Sequence, residues 1–438
     1  MSVRMNNKAY KFTQNPFRCA MVEFHPHTIK HVKKGHPWVT EDSFTKKFPQ
    51  KAHFLKGTKE KSPTSFGVFL HDPNHSKVKA RLWSYASPES WGRSIFEEEL
   101  LSRLMIAVEK RLPKIHSDSK TSEDEKRENF YLVFGESDAL PGLKIQVLAP
   151  GKVLIQYYSN FWANFQKELL SKLSYVLKRF FQEWNETGVD VFIQTRSLNK
   201  NIPLQKKTLS TFPKGDGKLS FSGQEFDIKY KIQLGQSYDF GLYTDMSSYR
   251  NSLKSFIKPE SRVLNLFSYT GAFSLFALKC GSEDVHSVDL SPRYMKWLND
   301  NLKLNPTLNP SHHNSVTSPA TEALSNYKRN QKKFDLIICD PPSSSSDGNK
   351  RSKAINSYHQ LLPSMLDLVE EKGQIVLFLN THNITFKKFF TEIESLFKLH
   401  PRSKTHKLQK FKSDNWDCPS KKGFPEGDYL KALIVSPL

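Results

Sequence analysis

Three short strand-like runs in the second half of the chain each stop at a polar turn, and they constrain the fold more than any other feature. Residues 263–266 and 334–339 are apolar runs, residues 285–288 between them are predicted to be a second strand, and residues 272–278 after the first run have a helix-like apolar pattern. Parallel strands are buried on both faces and therefore form continuous apolar runs, and successive parallel strands need a long crossover, usually a helix. The pattern predicts an α/β domain with a mostly parallel sheet.

The turns that end these runs carry residues suited to a nucleotide-like ligand. They contain Gly271, then Asp289, then Asp340-Pro341-Pro342. A glycine lets the backbone approach a ligand, the next helix start offers N–H groups, and a carboxylate ending the second strand lies where nucleotide-binding folds hold a ribose. Each signal alone has an ordinary explanation, such as a helix cap or a strand end. Their order along successive strand–helix units predicts a class I methyltransferase core that holds S-adenosylmethionine (SAM).

Composition and charge indicate an acidic partner. The 438 residues include 65 Lys and Arg against 44 Asp and Glu, which leaves a formal charge of +21. Nucleic acid is the simplest partner for this surplus, and a solvated basic surface is the alternative. The spacing of the four cysteines suggests neither disulfides nor a zinc site, and we expect no bound metal. No apolar signal segment or membrane-length run occurs, so we expect a cytoplasmic protein without membrane contact, either a monomer or a homodimer.

Shifts in composition divide the chain into an N-terminal extension (1–19), a small domain (20–88), a central domain (89–205) and a methyltransferase domain (206–438). Short β-type runs and basic clusters in the small domain predict a β-barrel with a positive face. The central domain has an α+β pattern that includes one amphipathic helix over residues 161–184. We expect a polar linker at residues 201–222 and a flexible loop at residues 343–348.

A set of motifs makes the chain similar to a known family. The motifs are His36-Pro-Trp-Val39, Gly135-Glu-Ser-Asp-Ala-Leu-Pro-Gly142, Phe240-Gly-Leu-Tyr-Thr-Asp245 with Arg250, Phe267-Ser-Tyr-Thr-Gly271, Asp340-Pro-Pro342 and Phe424-Pro-Glu-Gly-Asp-Tyr-Leu-Lys431. With them the chain resembles the RlmI/RlmK-type large-subunit rRNA methyltransferases over nearly its whole length beyond the extension. The resemblance implies a PUA RNA-binding domain, a central domain and a Rossmann-like methyltransferase that acts on rRNA. The domain order is closer to RlmI.

One departure from the RlmI pattern concerns the chemistry. That pattern has a cysteine after the fifth strand, thought to be the nucleophile for methylation of cytosine carbon-5, whereas here residues 374–379 lead into Asn380-Thr-His-Asn383. Asn380 resembles the Asn-containing segment of RlmK, a guanosine N7 methyltransferase, and Asn349-Lys-Arg351 is also RlmK-like. Carbon-5 needs a thiolate to add to the ring, whereas a nitrogen can attack directly. The residues present therefore favour nitrogen methylation.

Cys339 is the one candidate thiol in the motif region. Adjacent residues of a strand face opposite sides, so Cys339 points away from the cleft if Asp340 points into it. We expect a buried strand thiol rather than a nucleophile.

Two further departures leave the activity open to an alternative. The family usually has an acidic pair near the adenine, and this chain has Ser318-Pro319 at the corresponding place. An aromatic residue often follows the Asp-Pro-Pro motif, and here serines follow. The alternative function is a non-catalytic RNA-binding factor of ribosome assembly that retains the fold. A methyltransferase for small molecules or proteins is disfavoured by the charge and the PUA-like motif.

The candidate site residues follow from these motifs. The expected SAM-binding residues are Asn265, Phe267, Ser268, Tyr269, Thr270, Gly271, Asp289, Leu290, Ser318 and Asp340. The expected catalytic residues are Asp340, Pro341, Pro342 and Asn380. His36 is expected to be structural in the small barrel, and His382 to be a polar lining residue near the pocket. Basic clusters at residues 328–333, 350–353 and 402–412 are expected to flank the cleft or the sheet edge, where they could hold phosphates.

Overall fold

The computed structural model describes residues 17–59, 62, 64–85, 91–115, 126–196, 202–236, 239–342, 344–347 and 350–438, with the backbone alone for 344–347 and 350–353. Nearly all of the expected N-terminal extension, together with Ser343 and Asn349, lies outside this range. The described chain forms three units in sequence order, which we call the N-terminal, central and C-terminal units.

The N-terminal unit is a five-stranded sheet with one helix. Its elements are β1 (Cys19–Glu23), α1 (Pro26–Lys33), β2 (Trp38–Val39), β3 (Phe54–Thr58), β4 (Ser65–His71) and β5 (Ala80–Ser84). The strand order is β1-β3-β4-β5-β2, with only the β1–β3 pair parallel. A bridge between Phe24 and Phe44 connects the segments that follow the two edge strands, β1 and β2. This unit is the β-rich N-terminal part that the sequence predicts.

The central unit packs helices on one face of a second five-stranded sheet. Its elements are α2 (Arg93–Glu109), α3 (Leu112–Ile115), β6 (Phe130–Phe134), β7 (Leu143–Ala149), β8 (Lys152–Tyr157), α4 (Phe161–Asn164), α5 (Gln166–Phe180), α6 (Trp184–Thr187), β9 (Asp190–Thr195) and β10 (Gln205–Lys207). The order is β10-β9-β8-β7-β6. The prediction of one helix over residues 161–184 is wrong, because three helices share this stretch. Apolar side chains such as Phe165 and Phe181 occupy the breaks and are buried in the core.

The C-terminal unit is a seven-stranded sheet between two layers of helices, preceded by a hairpin. Its elements are β11 (Ser220–Glu225), β12 (Ile228–Gln233), α7 (Ser247–Ser252), β13 (Arg262–Leu266), α8 (Ala272–Lys279), β14 (Asp284–Asp289), α9 (Pro292–Leu304), β15 (His313–Thr317), α10 (Ala320–Arg329), β16 (Phe334–Cys339), β17 (Ser344–Asp347), β18 (Lys350–Lys353), α11 (Ala354–Leu368), β19 (Val369–Asn380), α12 (Phe386–Lys398), β20 (His406–Lys410) and β21 (Leu430–Pro437). The sheet order is β15-β14-β13-β16-β19-β21-β20. Strands β13 to β16 and β19 are parallel, and β21 is antiparallel to both of its neighbours. The predicted α/β fold class is confirmed.

Alternation along the parallel strands produces two cores, one on each face of this sheet. Val263, Leu336 and Ile338 pack with helices α8 and α9. Leu264 and Cys339 pack on the other face with α10, α11 and α12. Because helices cover both faces of the sheet, strands β13 and β16 bury apolar side chains on both faces.

Continuous apolar cores also connect the three units. Phe54 and Trp83 of the N-terminal unit share one core with the helices and strands of the central unit. On the other face of the central sheet, Leu148, Leu154 and Phe192 pack with the β11–β12 hairpin of the C-terminal unit. The surfaces between the units are therefore held by buried side chains.

Two loop predictions are corrected by local strand pairing. The expected linker contains β10, whose Lys206 pairs with Phe192 of β9, so part of the linker belongs to the central sheet. The expected flexible loop contains β17, which pairs antiparallel with β18. Both segments are polar, and a backbone ladder does not require an apolar pattern when an edge remains solvated.

Candidate functional site

The first cavity of interest, here called the cofactor cavity, lies at the carboxyl ends of β13, β14 and β16. It has a volume of about 610 Å³. Strand order reverses between β13 and β16, and open α/β sheets bind ligands at such a switch point. The predicted site residues that line the cavity are Asn265, Phe267, Ser268, Tyr269, Thr270, Asp289, Leu290, Ser318, Asp340, Pro341, Pro342 and Asn380.

The turn after β13 has a left-handed backbone at three positions. Phe267, Tyr269 and Gly271 have φ values of 57°, 51° and 84°. Residues other than glycine rarely adopt this conformation, and it persists where surrounding contacts impose it. The contacts here include Thr270 Oγ1, which donates to the Gly241 carbonyl at 2.6 Å, and the Gly241 N–H, which donates to Tyr269 Oη at 2.9 Å. The turn is thus tied to the segment of residues 239–246, which covers it.

Gly271 packs closely against the neighbouring helix α9. It lies between Thr270 and Ala272, which line the cofactor cavity, and a Cβ atom at this position would lie 2.5 Å from Leu298 Cγ. The glycine therefore allows the left-handed turn and the close packing of α8 against α9. Its expected contact with the cofactor stays a prediction.

Asp289 ends β14 and organises the cavity wall. Its Oδ2 accepts the Tyr269 N–H at 2.9 Å, and its Oδ1 accepts the Ser291 N–H at 2.8 Å. Burial raises its pKa, and the two N–H donors oppose this effect. Each carboxylate oxygen can accept a second hydrogen bond, so the group retains capacity for a pair of hydroxyl donors.

Ser318 and Asn265 complete the wall beside Asp289. The Ser318 N–H donates to the Asp289 carbonyl at 3.1 Å, and Ser318 begins the cavity segment that continues to Thr321. Asn265 Nδ2 donates to Ser274 Oγ at 2.9 Å, which fixes this amide between strand and helix. The wall is therefore polar near Asp289 and largely held by internal hydrogen bonds.

Asp340 lies where β16 opens into the cavity, followed by the two prolines. Burial first, and then the negative charge of Asp245, raises the pKa of Asp340 to about 7. The buried hydroxyl of Tyr358 lies 2.5 Å from the Phe378 carbonyl and 3.1 Å from the Cys339 carbonyl, and its single proton is shared between them. These bonds join the ends of β16 and β19 and so fix Asp340 relative to Asn380.

The thiol of Cys339 does not face the cavity. Cys339 is fully buried in the core on the opposite face of the sheet, which confirms the predicted buried strand thiol. Burial, and then the charge of Asp340, raises the pKa of this thiol well above its usual range. A thiol in such surroundings is a poor nucleophile.

A second cavity adjoins the first and is formed by all three units. We call it the acceptor cavity; its volume is about 830 Å³. Its walls include Trp38 of the N-terminal unit, Lys144 of the central unit and His382 of the C-terminal unit. It shares with the cofactor cavity the residues Asp239, Leu242, Tyr243, Asp245 and Asn380. The two cavities therefore adjoin at these five residues.

The segment that contains Asp245 is one of the sequence motifs, but no local signal in the sequence assigns it to the site. Tyr429 Oη donates to Asp245 Oδ2 at 2.6 Å, which positions this carboxylate between the cavities. Arg250 is buried, bonds Glu225 at 2.6 and 2.9 Å, and donates to the Tyr243 carbonyl at 3.0 Å. The motif residues thus form the boundary between the cavities, a role that requires contacts with distant parts of the chain.

The two histidines singled out from the sequence lie at contacts between units. His382 lines the acceptor cavity, and its Nδ1–H donates to the Glu426 carbonyl at 2.6 Å. Burial lowers the pKa of His382, which favours the neutral ring. His36 Nε2 lies 3.2 Å from Glu426 Oε2, so this histidine connects the N-terminal unit to the C-terminal segment.

The basic clusters are distributed differently from the expectation. Residues 328–333 precede β16 and so lie at the amino end of the sheet, away from both cavities, where Lys328 pairs with Asp367 at 2.7 Å. Residues 402–412 include the edge strand β20, as expected. The side chains of residues 350–353 lie outside the described atoms.

The cofactor cavity fits the predicted cofactor in size and in donor set. Small-molecule sites typically measure about 300–1,000 Å³, and this cavity lies within that range. Asp289 offers acceptors for ribose hydroxyls, and the turn after β13 offers backbone groups beside it. Within the described residues, no group of three or more His, Cys, Asp or Glu is placed to hold a metal. In that same part of the chain, no helix combines the length and apolarity needed to cross a membrane.

Comparison with known proteins identifies relatives for this arrangement. Residues 191–397 match the family described as S-adenosylmethionine-dependent methyltransferase. Ribosomal RNA large subunit methyltransferase I of Shewanella denitrificans is 24% identical over 423 residues, which cover 94% of this chain and 98% of that protein. The protein of the same name from Aeromonas salmonicida is 26% identical over 362 residues, with coverages of 82% and 85%. A solved structure described as a methyltransferase complexed with SAH has a TM-score of 0.76 at 21% identity and covers 96% of this chain and 100% of that chain, so the whole arrangement of units shares its fold.

Proposed function

We propose that this chain, whose residues 191–397 match the S-adenosylmethionine-dependent methyltransferase family, transfers a methyl group to a nitrogen of a base in large-subunit rRNA. The relatives named as rRNA methyltransferases support an RNA substrate. The formal charge of +21 supports a polyanionic partner as well.

The observation that carries this proposal is that the two cavities adjoin and share five lining residues. The acceptor cavity has aromatic walls, supplied by Trp38, Tyr131, Phe134, Tyr158, Phe424 and Tyr429. Proteins recognise unpaired RNA bases by stacking them on aromatic side chains and bonding their edges. A base that enters this cavity would meet the cofactor cavity at Tyr243, Asp245 and Asn380.

The chain's own residues would mainly position the reactants. SAM, when bound, supplies a methyl group on a sulfonium that is already activated for in-line displacement. Asp289 would hold the ribose hydroxyls, and Asp340 would accept a hydrogen bond from an amine or ring N–H of the base. The Asp340 carboxylate would also stabilise the positive charge that develops on an attacking nitrogen. The positions of the cysteines favour a nitrogen as the methyl acceptor. All four cysteines are described, and none lines either cavity, so no thiol is placed to add to a base.

The function is tested by nucleoside mass spectrometry of rRNA incubated with the protein and SAM. We expect one nucleoside of the rRNA to gain a single methyl group, and we expect that group to be on a nitrogen. If no nucleoside gains a methyl group while the protein still binds RNA, the proposed enzymatic function is contradicted and the assembly-factor alternative is supported. A methylated cytosine carbon-5 would contradict the nitrogen assignment.

The chemistry has a separate test with 5-fluorocytidine. A thiol mechanism leaves a covalent adduct on RNA that contains this base, because fluorine blocks the elimination that releases the enzyme. We expect no adduct on a denaturing gel, and we expect Cys339→Ala to retain methyl transfer. Cys418→Ala is the matched control, since Cys418 lines a different cavity and its pKa is raised by burial and then by Asp417. An adduct that disappears in either variant would overturn the assignment.

A further inference from the structure

Lys144 has an unusual position on the central sheet. Its neighbours on β7, Leu143 and Ile145, are buried in the core shared with the N-terminal unit. Since adjacent strand residues face opposite sides, Lys144 points away from that core and lines the acceptor cavity. A lysine on this wall costs free energy, because its partly buried ammonium loses solvation.

Aromatic rings surround the ammonium of Lys144. Its Nζ lies 4.0 Å from the ring centroid of Phe134, 4.6 Å from Tyr429, 5.4 Å from Tyr131 and 5.5 Å from Tyr158. Ring faces attract cations, so this arrangement stabilises the charge. Burial nevertheless lowers the pKa of Lys144, and Asp245 opposes this effect.

Lys144 has hydrogen-bonding capacity beyond its contact with the protein. Within the described residues, its one hydrogen bond goes to Tyr429 Oη at 3.2 Å, and Tyr429 in turn donates to Asp245. An ammonium carries three N–H donors, so two can bond a ligand in the cavity. The cavity lining balances its charges, with the carboxylates of Glu136, Asp239, Asp245 and Glu426 against Lys77, Arg81, Arg196 and Lys144 itself, so it has no surplus of positive charge to favour a phosphate. A flat, neutral acceptor between the aromatic rings fits this set of charges.

We propose that Lys144 is a specificity-determining residue that reads the group at C6 of a purine or C4 of a pyrimidine. It selects a carbonyl there, as in guanine or uracil, over an amine, as in adenine or cytosine. The inference rests on the proposed function, in which the acceptor cavity receives an RNA base. A carbonyl accepts from an ammonium, whereas an amine presents a donor to it. Selection of this kind is effective when the wrong base leaves a buried donor unpaired.

Uridylate and cytidylate hexamers provide the test, because their bases differ in the carbonyl or amine at C4 and in the proton at N3, and hardly in size. Fluorescence anisotropy with labelled hexamers, in the presence of S-adenosylhomocysteine, should give the wild type about a tenfold preference for uridylate. Lys144→Met should remove the preference, and Lys144→Arg should keep part of it. Lys152→Met is the matched control: Lys152 lies on the adjacent strand β8, outside the acceptor cavity, and this variant should bind both hexamers as the wild type does.

Calorimetric titration with SAM establishes that Lys144→Met is folded, because Lys144 does not line the cofactor cavity. Equal affinities of the wild type for both hexamers, or a preference that survives in folded Lys144→Met, overturn the inference even if rRNA is methylated. A preference that is lost in Lys144→Met while no rRNA nucleoside gains a methyl group supports the inference and contradicts the proposed function.

Discussion

Replacement of Asp340 by Asn is expected to lower the turnover number of methyl transfer by about 100- to 10,000-fold, the usual range for loss of a positioned acceptor group. The amide keeps the size of the side chain but loses the negative charge. That charge would accept a hydrogen bond from the base and stabilise the positive charge that develops on the nitrogen. The measurement is transfer of labelled methyl groups from saturating SAM to rRNA. Asp335→Asn is the matched control, since Asp335 lies at the other end of β16, where it pairs with Arg262.

The raised pKa of Asp340 predicts how the rate of methyl transfer depends on pH. The pKa of Asp340 is raised to about 7, so the carboxyl is protonated below that pH and cannot accept a proton. We expect the rate to fall on acidification below about pH 7 and to level off above it. Because the Asp245 charge contributes to the raised pKa, Asp245→Asn should move this acidic limb to lower pH. A rate that is independent of pH across neutrality, or an active Asp340→Asn protein, would show that Asp340 has no such role.

Replacement of Asp289 by Ala is expected to weaken SAM binding by at least about 2 kcal/mol, roughly 30-fold, since hydrogen bonds to a charged group are each worth about 1.5–3 kcal/mol. The variant also removes the acceptor of the Tyr269 and Ser291 N–H groups, which loosens the turn that lines the cavity. Titration calorimetry measures the loss. Asp284→Ala, at the opposite end of β14 where it pairs with Lys332, should bind SAM as the wild type does. Unchanged affinity of Asp289→Ala would remove Asp289 from the proposed cofactor site.

The cofactor cavity was predictable from sequence because its parts are local. A strand ends where its apolar run ends, and the carboxyl ends of parallel strands meet at one edge of the sheet. Asp289 and Asp340 each follow a predicted strand directly, so their convergence on one cavity follows from strand order. The packing role of Gly271 was not predictable, because the side chain beside it, Leu298, belongs to helix α9 and leaves no local signal.

The sequence by itself determined the α/β class, the strand ends that form the cofactor cavity and the absence of a thiol after the fifth strand, because periodicity and turn chemistry act over a few residues. The tertiary structure decided the acceptor cavity. Lys144 and Tyr429 are 285 residues apart in sequence, yet they form a hydrogen bond at 3.2 Å. They meet where Tyr429 packs against Tyr131 and Phe134 of the central sheet. Such long-range burial has no period in the sequence, so only the folded chain brings Lys144, Tyr429 and Asp245 together.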